Sequence, residues 1–268
     1  MKSTQLRIAV AIFGIPRGAK LTFAPFIENI VKQAKAVGEV RLFGHFFTVK
    51  QVTNARSGEG GALDQENFNI YRDFNVVTEP PEQCLSEYNV EAFMRYGDYY
   101  GDDFKSVRNL IHQLHSLKTV TKNVQLYQPD AVIFARPDLL YHDKIPSWII
   151  RNAATHPDRC FLPHWQWWGG YNDRFSVCGR NAYLHYGTRI ENILNYCSRG
   201  NRPLHAERLL RETLRLKNVG LRQLDVRASR VRVGDVVKDE SFDARGTIGP
   251  RRLLPEMVRS HLLARVHL

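Results

Sequence analysis

The chain has 268 residues, 43% of them hydrophobic and 24% charged, enough apolar content for the core of one large α/β domain or two small ones. No apolar run approaches the roughly 20 residues of a membrane span, and the N-terminal run 8-IAVAIFGI-15 lacks a small-residue cleavage site, which argues against a secretory signal. The net charge is +11, and from residue 201 onward 15 Lys/Arg stand against 8 Asp/Glu, so +7 of it lies in the last quarter, a bias that suits a polyanionic partner or a solvated basic surface.

Residues 7-RIAVAIFGI-15 read as a buried first strand, stopped by Gly14 and Pro16. A glycine-containing loop, 16-PRGAK-20, leads to a helix over 24–38 and a second strand over 39–47. Such a β-loop-α-β opening starts a parallel sheet. The stretch 56–67 is polar, glycine-rich and without period, and reads as a flexible loop. A short strand within 69–80 ends at Pro80 and Pro81, a long helix covers 103–127, and the strand 131-AVIFA-135 follows. Trp148 to Ala154 is helical, 160–179 is aromatic and turn-rich with a strand near Phe175 to Cys178, and helices follow over 181–196 and 205–218. A late strand covers Val219 to Val226, and a basic helix is expected over 253–266. The expected architecture is α/β, a mainly parallel central sheet flanked by helices over 1–240, with a helical basic tail over 241–268.

Cys84, Cys160, Cys178 and Cys197 form no CxxC pair and no zinc-type spacing, so buried reduced thiols and a cytoplasmic setting are expected. The strand end 131-AVIFARPDLLYHD-143 places Arg136, Asp138 and Asp143 where parallel sheets bind ligands. Asp138, alone or with Asp143, has the oxygen chemistry for a hard divalent cation whose shell a diphosphate completes, while Arg136, Arg17 and Lys20 suit the phosphates. The alternative is a local Arg136–Asp138 ion pair in a turn stiffened by Pro137. Trp165, Trp167 and Trp168 cannot all face one core, so Trp167 and Trp168 are candidates to stack on a sugar or, equally, to close a hydrophobic lid. Gly169 and Gly170 give a loop whose backbone allows close approach. By itself Asp173 reads as a turn or cap residue, and Glu207 as a first-turn carboxylate favoured by the helix dipole. His112 and His115 stand three apart on a helix, with no third ligand at helical spacing.

Four blocks carry a resemblance. The opening 9-AVAIFGIPRG-18 resembles the "SGQPR" loop of a group of bacterial and viral sugar transferases that build lipopolysaccharide, capsule and other surface glycans. The segment 130-DAVIFARPDLLY-141 resembles their "R-x-D" strand end, 169-GGYNDRFSVCG-179 their "NDRF" strand, and 203-PLHAERLLRETL-214 their "PE" helix start. The blocks run in the family's order across residues 7 to 215, although Ile15 stands where Gln is usual and Arg136 replaces the first acid of a DxD motif. The resemblance implies a GT-A glycosyltransferase fold and transfer of a sugar from a nucleotide-diphosphate sugar to a hydroxyl of a glycan or glycolipid. It implies Asp138 as anchor of Mn²⁺ or Mg²⁺, and Gly14, Pro16, Arg17, Gln113 and Arg136 about the nucleotide diphosphate. It further implies Glu207 and Asp173 as the two candidates for the catalytic base, with Glu207 preferred as acid/base and Asp173 as a donor-sugar or acceptor contact, and Trp167, Trp168, Gly169, Gly170 and Asn172 along the sugar. The basic tail suits a peripheral contact with an anionic membrane, or plain solvation. Rival readings are a catalytically inactive sugar-binding relative and a sugar-1-phosphate nucleotidyltransferase, whose longer Gly-rich signature is absent. A nucleic-acid partner is not expected, because the aromatics cluster with Gly and Asp instead of alternating with basic residues.

Overall fold

A computed structural model of the protein describes residues 5–54 and 58–243, so the basic helix expected over 253–266, and the tail beyond residue 243, lie outside the described residues. The strands are β1 (Arg7–Gly14), β2 (Glu39–Phe47), β3 (Gln51–Asn54), β4 (Glu59–Ala62), β5 (Asn75–Glu79), β6 (Ala131–Ala135), β7 (Leu139–Tyr141), β8 (Arg159–Pro163), β9 (Ser176–Gly179), β10 (Gly220–Leu224), β11 (Ala228–Arg232) and β12 (Val236–Val237). The helices are α1 (Ala19–Phe26), α2 (Lys32–Lys35), α3 (Glu66–Asn69), α4 (Pro81–Ser86), α5 (Val90–Met94), α6 (Lys105–Tyr127), α7 (Ser147–Thr155), α8 (Ala182–Gly187), α9 (Ile193–Gly200) and α10 (Ala206–Leu216).

The first strand sets the architecture. Ile8 to Phe13 are wholly buried, which requires cover on both faces of the sheet. Ala9, Ala11 and Phe13 face one core with α6, while Ile8, Val10 and Ile12 face another with α1 and α7. The seven-stranded sheet runs β10-β8-β9-β6-β1-β2-β5. Four of its six neighbouring pairs are parallel, and β9 runs antiparallel to both β8 and β6. A mainly parallel sheet flanked by helices is therefore what the chain forms.

Two local readings need correction. The first helix starts at Ala19, not 24, and loosens into a π-helical turn over Ile27–Val31 before α2. Pro25 sits inside the helix, and the ladder widens just beyond it. Gly18 ends the preceding loop at φ +59°, and a Cβ there would meet Val231 Cγ1 at 2.4 Å, so the loop packs directly on β11. The stretch 56–67 is also not wholly loop. β4 pairs antiparallel with β3, and its first residue, Glu59, is buried.

β11 pairs antiparallel with β7 and with β12, forming a second small sheet beyond the end of β6. That sheet brings the basic residues 230, 232 and 238 to the carboxyl ends of β1 and β6. The four cysteines are free and buried, as the spacing predicts. Among the described residues no helix is long and apolar enough to cross a membrane.

Candidate functional site

A cavity of about 1130 Å³ opens at the carboxyl ends of β1 and β6. Seven basic residues line it: Arg17, Arg136, Arg174, Arg208, Arg230, Arg232 and Lys238. Its acidic lining residues are Asp173 and Glu207.

The basic residues are held from behind by fewer carboxylates than their own number. Glu59 Oε2 accepts from Arg17 Nη1 at 2.8 Å and from Arg232 Nη1 at 3.0 Å, while Oε1 accepts the Val233 amide at 3.1 Å. Glu240 accepts from Arg230 Nε at 2.6 Å and lies 3.4 Å from Arg174 Nη1. One carboxylate thus answers two guanidiniums, twice. Arg17 Nε, Arg174 Nη1 and Arg232 Nε are buried and make no hydrogen bond among the described residues. Burial and neighbouring Arg230 push the Arg174 guanidinium down to about 10. The wall therefore carries unanswered positive charge and unanswered donors, which an anionic ligand would meet.

Asp138 sits beneath this wall and not on it. Its side chain is 2% exposed, and Arg136 grips both oxygens, Nε to Oδ1 at 2.9 Å and Nη2 to Oδ2 at 2.7 Å. Burial works against the charge, but Arg136 and then Arg17 outweigh it and hold the carboxyl well below the usual range. Arg232 adds to the same effect. A divalent cation does not fit Asp138 as arranged, because both oxygens are already bonded to a guanidinium and the surroundings are positive. Asp143 lies elsewhere, gripped by Arg227 at 2.9 Å through both oxygens.

Arg136 passes the link onward. Its Nη1 donates to Gln113 Oε1 at 3.3 Å, and Gln113 Nε2 donates to Asp173 Oδ2 at 2.8 Å. Arg189, wholly buried, stands 3.7 Å from the same Oδ2. Asp138, Arg136, Gln113 and Asp173 are thus one connected row joining β6, α6 and the loop before β9. Glu207 lies in the first turn of α10, 3.3 Å from His205 Nδ1.

Of the other residues expected at the site, Gly14, Arg17, Gln113, Arg136, Trp168 and Gly169 line the cavity. Gly14, at φ +117°, donates its amide to Ser116 Oγ at 2.9 Å. Pro16, Trp167, Gly170 and Asn172 are not brought to the cavity lining. Pro16 is buried in the loop. Trp167 is 6% exposed, donates to the Pro163 carbonyl at 2.7 Å and packs edge-on against Tyr171. Asn172 donates to the Trp165 carbonyl at 2.9 Å. The backbone that Gly170 approaches is the protein's own: a Cβ there would lie 2.0 Å from the carbonyl carbon of Glu207. Trp165 is buried against Val226, and Trp168 alone of the three indoles is exposed, at 53%. Lys20 points to Asp64 at 2.7 Å, and His164 lies 3.8 Å from Asp225.

Sequence reasoning missed Arg174, Arg208, Arg230, Arg232, Lys238 and the aromatic pair Tyr99 and Tyr100 on the wall. The signal for four of the basic residues was present in the basic excess after residue 201. His112 and His115 do not pair on a metal, since His112 Nε2 faces the Pro81 carbonyl at 3.0 Å. Among the described residues the group with ligating geometry is His45, Glu79 and His115.

No protein-family model matches the chain, and no curated protein matches it. Among solved structures it is similar to mouse xyloside xylosyltransferase 1 in the apo form, at 11% identity and a TM-score of 0.44, over 83% of this chain and 86% of that one. It is also similar to an active-site mutant of LgtC, at 10% identity and a TM-score of 0.41, over 81% and 72% of the two chains. The galactosyltransferase LgtC in complex with donor and acceptor sugar analogs matches at 10% identity and a TM-score of 0.38, over 81% and 73%. These structures are glycosyltransferases.

Proposed function

We propose that the chain is a GT-A-type glycosyltransferase that moves a sugar from a nucleotide-diphosphate sugar to a hydroxyl of a glycan or glycolipid. The observation that carries this reading is the cavity wall, where two carboxylates each hold two arginines and two further carboxylates face the same space. Glycosyl transfer calls for counter-charge and a proton acceptor, and this wall offers both. The bond from the sugar's anomeric carbon to the diphosphate oxygen breaks, the bond to the acceptor oxygen forms, and the acceptor's proton must be taken up. In this reading Arg17, Arg136, Arg174, Arg230 and Arg232 offset the charge on the leaving diphosphate. Glu207 takes the acceptor proton. Asp173, fixed through Gln113, accepts a hydrogen bond from a sugar hydroxyl, and Trp168 offers its indole face to the sugar's C–H face.

Mn²⁺ or Mg²⁺ arriving with the donor is the alternative counter-charge, and it requires Arg136 to release Asp138. The expected place of action is the cytoplasm, with the basic tail against an anionic membrane that carries the acceptor lipid.

A thermal-shift panel of UDP, GDP, CMP, dTDP and their common sugars, each with Mn²⁺ and with EDTA, tests the reading. One nucleotide-diphosphate family is expected to raise the melting temperature by mass action, equally in EDTA, and Arg136→Ala is expected to abolish the rise. A shift that requires Mn²⁺ transfers the counter-charge to the ion. No shift with any member of the panel overturns the assignment.

A further inference from the structure

Three ligating side chains converge where β2, β5 and α6 meet, behind the cavity wall. His45 on β2 is wholly buried, His115 on α6 nearly so, and Glu79 is the last residue of β5. Glu79 Oε1 lies 3.3 Å from His45 Nε2 and 2.6 Å from His115 Nε2. One ligand atom from each residue falls within 4.8 Å of the other two.

The hydrogen bonds on the far sides of the two rings set this group apart from an ordinary buried histidine pair. Ser116 Oγ donates its proton to the His45 carbonyl at 3.0 Å and accepts the Gly14 amide at 2.9 Å. The same oxygen lies 2.9 Å from His45 Nδ1. With the hydroxyl proton committed, Nδ1 is the donor of that contact, and Nε2 of the neutral ring then carries a bare lone pair. That lone pair faces a carboxylate oxygen. Both atoms are buried, and among the described residues His45 Nε2 finds no hydrogen-bond partner, while Glu79 Oε1 has only the close approach of His115 Nε2. Two acceptors 3.3 Å apart repel each other, and a cation between them converts the repulsion into ligation. His115 is placed alike, its Nδ1 2.9 Å from the Tyr88 hydroxyl and its Nε2 turned toward Glu79, with the tautomer set by which partner of the Tyr88 contact donates. Each imidazole therefore has its outer nitrogen fixed by a hydroxyl and its inner nitrogen aimed at one carboxylate, the arrangement by which outer partners orient metal-binding histidines.

We propose that His45, Glu79 and His115 form a binding site for one divalent transition-metal ion, with Zn²⁺ the best match to two imidazoles, one carboxylate and an open fourth position. Bonds of about 2.0 Å in a tetrahedral shell space the ligand atoms about 3.3 Å apart. The His45–Glu79 separation already has that value, and the His115–Glu79 gap opens on binding. The site is distinct from Asp138 and does not depend on the transferase reading. Bound there, the ion clips two strands to the long helix, and Ser116 carries the clip to Gly14 at the mouth of the first loop.

The test uses the tag-free full-length chain, stripped with EDTA, dialysed, and titrated with Zn²⁺ or Co²⁺ alone. The expected result is one ion per chain by elemental analysis, the intense visible absorption of four-coordinate Co²⁺, and a raised melting temperature. Tyr88→Phe, which keeps all three ligands, is expected to weaken binding roughly 10–100-fold. Glu79→Gln and His115→Asn are expected to weaken it further, and the exposed His156→Gln to leave it unchanged. Far-UV circular dichroism of each variant separates lost ligation from lost folding. No ion taken up by the folded wild-type chain, or uptake undiminished in folded Tyr88→Phe and Glu79→Gln, overturns the proposal.

Discussion

Glu59→Gln tests whether the cavity wall is built on shared counter-charge. The Glu59 side chain is 2% exposed, and its two partners, Arg17 and Arg232, are 13% and 10% exposed, so solvent screens this trio weakly. Removing one partner of a buried ion pair costs about 3–5 kcal/mol, because the remaining charge stays buried without an answer. Glutamine keeps an acceptor for the Val233 amide, which places the expected loss near the lower end, about 3 kcal/mol. At roughly 2–4 °C per kcal/mol for a chain of this size, the melting temperature should fall by about 6–12 °C. A second readout separates charge from packing. Pyrophosphate supplies the missing negative charge, so it should raise the melting temperature of the variant more than that of the wild type. The assay is thermal unfolding of both proteins, with and without pyrophosphate. A loss below about 1 kcal/mol, the range of surface pairs, would mean that water already screens the trio, and the argument for unanswered positive charge would fail.

Glu207→Gln and Asp173→Asn are each expected to lower turnover by roughly 10²–10⁴-fold while donor binding by thermal shift persists; unchanged turnover in both removes them from the chemistry. Trp167→Ala should cost about 3–5 kcal/mol of stability, because it empties a core position. Trp168→Ala should cost within about 0.5 kcal/mol yet raise the acceptor KM, and equal destabilisation by the two in urea unfolding would contradict their placement. Asp138 supplies the pH dependence. Its carboxyl is held below its unfolded value of 3.8, so its contribution is present above about pH 4 and is lost as acid protonates it in the folded state. Asp138→Asn should therefore show a constant deficit in unfolding free energy at neutral pH that narrows below pH 4, and a deficit independent of pH would refute the ion pair.

Elements whose burial is local were legible in the sequence. β1 and β6 are unbroken apolar runs because both their faces are covered, and α6 shows the helical period of a half-buried cylinder. What depends on distant pairing was not legible. In β4, three of four residues are exposed and two are glycines, so no pattern announces a strand. Glu59 is buried only because Arg17, 42 residues earlier, and Arg232, 173 residues later, close over it. β11, 228-ASRVR-232, reads as polar, yet its pairing with β7 turns two arginines onto the cavity. The strand-end Arg136 and Asp138 were visible as a pair, but nothing in their spacing says that the arginine takes both carboxylate oxygens. The tryptophan run illustrates the same limit: the sequence showed that the three indoles cannot all face one core, and only the folded loop, with Trp168 at φ 47° and 53% exposed, shows which one leaves it.

The contact between Gly170 and the Glu207 backbone couples two segments that the chain separates by 37 positions. The loop bearing Trp168 and the helix start bearing Glu207 touch main chain to main chain there, and the Tyr171 amide donates to the Glu207 carbonyl at 3.0 Å. Neither can shift without the other. On the proposed transferase reading, an engineer who lengthens the tryptophan loop to admit a bulkier acceptor will drag the Glu207 carboxylate along, and acceptor range and turnover are then expected to change together in any library built on residues 166–171. Libraries that vary β11 and the segment after it escape this coupling and offer the cleaner route to changing what the cavity holds.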